Sequence, residues 1–142
     1  MRRPALASAL CCALSLALLL PACGGPSDVA NQFIDRYYVE SDQTSALPIA
    51  AGVALLRLQE ELRLSAEGRS AGAPLPSRQV RVYYQRLRLE GQGDGPGAQR
   101  TADYSLDIRP QGGGALTREA HLTLEKQPGG WKVVRFSEGA AR

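Results

Sequence analysis

Tyr37 and Tyr38, with Asp103 and Asp107, are the residues of this chain whose types could support acid–base work. A tyrosine hydroxyl can donate to a developing oxyanion, and a carboxylate can take a proton. The spacing argues against combining them. Ala102, Tyr104, Leu106 and Ile108 alternate with Asp103, Ser105, Asp107 and Arg109, so if the apolar set faces a core, both aspartates point outward as solvated carboxylates. His121 is the single histidine and shares the parity of Thr117, Glu119, Thr123 and Glu125. A metal or general-base role needs partners, and Glu119 and Glu125 are too generic to supply them, so His121 reads as a surface residue on a polar strand face. Trp131 reads as packing at the core or sheet edge. Gly91 to Gly97 is glycine-rich but joins two strands and lacks a following Lys-Ser/Thr, so it reads as a turn and not as a phosphate loop. No catalytic, cofactor-binding or metal-ligating residue is assigned.

The elements that would position these side chains come in two blocks. Val29, Ala30, Phe33, Ile34, Tyr37 and Tyr38 recur at helical spacing, and Ser27 is placed to cap that helix. Pro48 fits the first turn of a second helix carrying Val53, Leu55, Leu56, Leu58, Leu62 and Leu64, with Gly52 as a break or close-packing point. Residues 65–78 are rich in Ser, Gly, Ala and Pro and read as a loop. From Gln79 the periodicity becomes two. Val80, Val82 and Tyr84 share one parity while Leu87 and Leu89 take the other, which predicts a β-bulge near Gln85-Arg86. Three more strands follow: one across Ala102 to Ile108, a second with Leu116, Ala120, Leu122 and Leu124 on its apolar side, and a last one opening at Trp131. The glycine-rich connections are too short for parallel crossovers, so the fold class is α+β with an antiparallel sheet.

The segment before these elements has its own pattern. Met1-Arg2-Arg3, an apolar run from about Leu6 to Leu20, and Leu20-Pro21-Ala22-Cys23 resemble a bacterial lipoprotein export signal. The resemblance implies cleavage before Cys23, lipidation of its sulfur and acylation, for example by palmitate, of the new amino terminus. Such an anchor holds a protein to a membrane without a spanning helix. The implied organisation is a signal peptide over 1–22, a lipidated tether over 23–26, a domain over 27–138 and a tail over 139–142. Gly24 after the cysteine resembles outer-membrane sorting in some bacteria, which favours the outer membrane of a bacterial cell envelope with the domain facing the periplasm.

Loss of residues 1–22 from the 142 leaves 120, enough for one ordinary domain. The formal charge of +3 falls to +1 without Arg2 and Arg3. The remaining basic residues are interleaved with acidic and apolar ones, which excludes a nucleic-acid footprint. Cys11, Cys12 and Cys23 are the only cysteines. With two removed and the third lipidated, none is left for a disulfide, a thiolate nucleophile or a metal.

The order of helices first and four strands after is similar to the NTF2-like superfamily, most visibly in Val29 to Tyr38 and in the closing hairpin Leu122 to Val134. The resemblance covers residues 27–138. It implies amino-terminal helices packed in a curved antiparallel sheet, a cone, and relatives that include isomerases using tyrosine and aspartate, hydrolases, transport factors and exported proteins without known activity. Fold alone does not choose among these. The leading expectation is a lipid-anchored envelope module that binds a protein partner or a small apolar ligand, with a possible homodimer through the sheet face seeded by Leu87 and Leu89. The alternatives are a small isomerase- or hydrolase-type enzyme and a structural protein of envelope assembly.

Overall fold

A computed structural model describes residues 24–70 and 80–141. The expected signal peptide, its cleavage point and Cys23 lie outside the described residues. Helix α1 (Pro26–Ile34) begins at Gly25, whose N–H donates to Asp28 Oδ2 at 3.1 Å, with Pro26 at the first helical position. Ser27, expected as the cap, lies one step inside the helix, and its hydroxyl accepts from Arg86. The chain then widens into a π-helical turn, Asp35–Val39, closed by Glu40 N–H to the Asp35 carbonyl at 2.7 Å. The wider turn brings both Tyr37 and Tyr38 against the core.

The expected continuous helix from Pro48 is divided. Asp42 caps a single turn, α2 (Gln43–Ala46), by accepting from Ser45 N–H at 3.0 Å. Pro48 sits in a 3₁₀ turn, Leu47–Ile49, and Ala50 then extends and bridges Val133 in parallel, while Ala51 N–H donates to the Val133 carbonyl at 2.9 Å. Gly52 opens helix α3 (Gly52–Ser70) at φ +52°, a left-handed conformation that a side chain would strain. This helix overturns two expectations. Residues 65–70 are helical and not loop, and only Ala54 and Leu58 of α3 are buried, with Val53, Leu56 and Leu64 more than half exposed. Its outer part is carried by good helix formers and by Arg63, which reaches Glu60 and Glu67 one turn either side.

The strands β1 (Val80–Glu90), β2 (Gln99–Pro110), β3 (Leu116–Gln127) and β4 (Gly130–Ala140) form an open antiparallel sheet in the order β1-β2-β3-β4. Two residues, Pro128 and Gly129, link β3 to β4. The bulge falls at Leu87, just after the expected site, because the register with β2 slips between Arg86 and Arg88. Leu89 is thereby returned to the core side, whereas Leu87 stays 54% exposed, so only one of the two expected outward leucines is outward. Leu116 also departs from expectation: at the start of β3 it is exposed.

The helices cover one face of the sheet. Phe33, Ile34 and Leu58 meet Tyr104, Leu106, Leu122, Leu124 and Val133 there, all fully buried. The Ala50–Ala51 segment covers part of the β4 edge. Among the described residues, β1 has no strand on its other side.

Candidate functional site

The two tyrosines and two aspartates do not converge. Tyr37 and Tyr38 pack edge-on, 4.7 Å between ring centroids, on the helix-covered side of the sheet. Asp103 and Asp107 alternate with the buried Tyr104 and Leu106 and so face the other way. The Tyr37 hydroxyl donates to both oxygens of Glu61 at 2.9 and 3.0 Å, and burial, then that carboxylate, push its pKa well up. Glu61 also pairs with Arg57 at 2.9 Å, and the Arg57 guanidinium lies 4.1 Å from the Phe136 ring centroid and donates to the Phe136 carbonyl. This network fastens α3 to the π-helical turn and to β4. The Tyr38 hydroxyl is buried and has no hydrogen-bond partner among the described residues; burial, then the Glu138 charge, push its pKa up. Neither tyrosine is presented to a substrate. Asp107 is engaged by Arg109 at 2.5 Å, and that guanidinium stacks 5.0 Å from the Tyr83 ring.

The outer face brings a different set together. In the β2–β3 register Asp103 stands opposite His121, and Asp103 Oδ1 lies 2.8 Å from His121 Nδ1. An ionised carboxylate only accepts, so the hydrogen is on Nδ1 and the other ring nitrogen is the one presented outward. Nε2 lies 3.8 Å from Glu119 Oε2, and a methyl at Gly139 would sit 3.7 Å from it. Arg88 Nε approaches the second oxygen of Asp103 at 3.9 Å and Arg88 also reaches Glu90 at 3.5 Å. Arg88, Asp103, Glu119 and His121, with Leu87 and Gly139, line a depression of about 700 Å³. The His121 side chain remains 46% exposed there, with Asp103 at 29% and Glu119 at 21%, so the pair is accessible from solvent.

The chemistry available is recognition by fixed acceptors and one cation. Ser137 stands opposite His121 in the β3–β4 register. Among the described residues no group of His, Cys, Asp and Glu is arranged to hold a metal ion, and no helix is long and apolar enough to cross a membrane.

The glycine-rich segment is a turn, as its position between strands predicts. Gly91 has φ +120°, and a Cβ there would stand 2.4 Å from the Gln99 carbonyl oxygen, so the close return of the chain requires glycine. Trp131 is 5% exposed and is flanked by Arg100 and Lys126, 5.2 and 5.9 Å from its ring, which places it in packing.

Sequence reasoning placed His121 on the polar face but missed its partner. The signal was in the turn. A hairpin centred on Gly112 sets residues 103 and 121 opposite each other, equally far from the centre.

No protein-family model matches this chain, and no curated protein matches it. Among solved structures it is similar to the crystal structure of the intermembrane space region of chloroplast protein ARC6, with a TM-score of 0.41, 13% identity, and coverage of 81% of this chain and 94% of that one. A likeness of that size assigns neither a fold family nor a function.

Proposed function

We propose that this chain is a lipid-anchored module of the bacterial cell envelope, held through Cys23, whose NTF2-like domain offers the outer face of its sheet to a protein partner. The NTF2-like reading draws on the order of elements and on helices packed against one face of an antiparallel sheet whose first strand carries a bulge. The observation that carries the binding reading is the depression around the hydrogen-bonded Asp103–His121 pair, which stands open to solvent with Arg88 beside it. A small apolar ligand inside the domain is the weaker form of the reading, because Phe33, Ile34, Leu58, Tyr104, Leu106, Leu122, Leu124 and Val133 fill the interior. An isomerase- or hydrolase-type activity at the same depression is the alternative reading; it would use the His121 and Glu119 side chains that line it.

Site-specific photo-crosslinking in cells tests the proposal. A crosslinking side chain at Ser105, on the outer face, is expected to give one adduct of defined mass that His121→Ala abolishes, while the same group at Leu64 on α3 gives none. An adduct at twice the subunit mass would identify the partner as a second copy. Adducts of equal yield from both positions, or from neither, would overturn the reading.

A further inference from the structure

Cys23 is separated from Pro26, the first residue of α1, by Gly24 and Gly25 alone. This connection is fastened to the helix. Gly25 donates to Asp28 Oδ2 at 3.1 Å and its carbonyl accepts the N–H groups of Asp28 and Val29, both at 3.1 Å. Gly24 lies so close that a Cβ on it would be 3.3 Å from Asp28 Cβ. Even fully extended, three residue steps span only about 10 Å. An anchor at Cys23 therefore fixes one end of the domain near the bilayer.

That end can be identified. Gly24 shares a recess of about 350 Å³ with Ile49, Gly129, Gly130 and Lys132. The Gly91–Gly97 turn is tied to the same hairpin by Gly97 N–H to the Lys126 carbonyl and Lys126 N–H to the Ala98 carbonyl, both 2.9 Å. The β2–β3 turn is at the far end of 12-residue strands, about 35–40 Å away at the usual rise per residue.

We propose that the end of the domain formed by Gly24, the Gly91–Gly97 turn and the Pro128-Gly129 turn rests on the lipid headgroups, and that the Gly112–Gly114 turn points away from the bilayer. The proposal rests on lipidation of Cys23. Charge does not set this orientation. Arg100, Lys126 and Lys132 at this end are matched by Asp28, Asp94 and Glu125, and Arg100 already pairs with Asp94 at 3.2 Å while Lys132 donates to the Pro48 carbonyl. The short tether sets it, so the contact is insensitive to salt.

The test uses the full lipidated chain in vesicles of phosphatidylethanolamine and phosphatidylglycerol. Gly95, Gly114 and Gly129 have open space around a would-be Cβ and no left-handed φ, so each accepts a cysteine for a fluorescent label, and a lipidated Cys23 does not compete. Quenching by a headgroup nitroxide lipid is expected to be several-fold stronger at Gly95→Cys and Gly129→Cys than at Gly114→Cys, at low and high salt alike. A flexible Gly/Ser insert of about 20 residues after Cys23, with an r.m.s. span of about 25 Å, is expected to erase the difference. Equal quenching at the three sites, or stronger quenching at Gly114→Cys, overturns the orientation in a protein whose intact mass shows acylated Cys23. A mass without acyl chains overturns the anchor and the orientation with it.

Discussion

The two faces of the four strands are built from alternate residues of the same segments, yet they have little else in common. On β2, Ala102, Tyr104 and Leu106 are fully buried beneath the helices, while Asp103, Ser105 and Asp107 between them keep partial contact with water. The inner face is held by apolar area and close packing, at roughly 25 cal/mol for each Å² removed from water. The outer face is held by cross-strand pairs whose charges remain hydrated, and such pairs contribute little to stability. One face therefore specifies the fold, and the other is free to change with whatever it meets.

Paired substitutions on adjacent residues can break this contrast. Leu106→Ala removes a fully buried side chain between the sheet and the helices and is expected to cost about 2–5 kcal/mol. Its outward neighbour, Ser105→Ala, is expected to stay within about 0.5 kcal/mol. Urea unfolding of the two variants measures both, and similar losses would mean that the outer face carries structural weight not seen in its contacts.

An alkaline titration sharpens the same contrast with no substitution. Burial pushes Tyr104 from its ordinary pKa of 10 up to about 12, and Tyr37 and Tyr38 are pushed higher still. The folded state holds these protons more tightly than the unfolded chain, so their contribution is complete below about pH 10 and is lost as pH rises through about 12. Urea midpoints are expected to fall across that window, with phenolate absorbance appearing as the protein unfolds. Ionisation of all the tyrosines in a protein that stays folded would contradict the packing described for the inner face.

The smallest effects come from two hydroxyls on that face. Tyr104 Oη donates to Asn31 Oδ1 at 2.7 Å, and Tyr104→Phe is expected to cost about 0.5–1.5 kcal/mol for the lost bond, since Asn31 Oδ1 keeps Arg86 at 3.5 Å. Tyr38 Oη has no such bond, so Tyr38→Phe is expected to be neutral or slightly stabilising. Thermal unfolding compares the pair, and a larger loss for Tyr38→Phe would show that its hydroxyl is engaged after all.

Legibility in the sequence followed the strength of local periodicity. The apolar spacing of α1 and the strict alternation on β2 each have one burial solution, and both were readable. The second helical region was not, because its leucines lie on several sides of the helix and of α3 only Ala54 and Leu58 are buried. Leucine promotes helix whether or not it is buried, and nothing local distinguishes the two cases. The break before α3 depends on Ala50 and Ala51 meeting Val133, a contact across more than half the chain that no window of residues contains. The Asp103–His121 pair belongs to an intermediate class. Each partner was legible on its own strand, and only the register of the intervening turn joins them.

Among the described residues no strand pairs with the second side of β1, which bears on how copies of this protein coexist. An unpaired strand edge is a template on which another chain can add. Arg81, Arg86 and Arg88 line this strand, and the bulge at Leu87 interrupts its straight run of backbone donors and acceptors. Two such edges brought together would meet across a kinked seam. The irregularity in β1 thus works against extension of the sheet from one copy to the next.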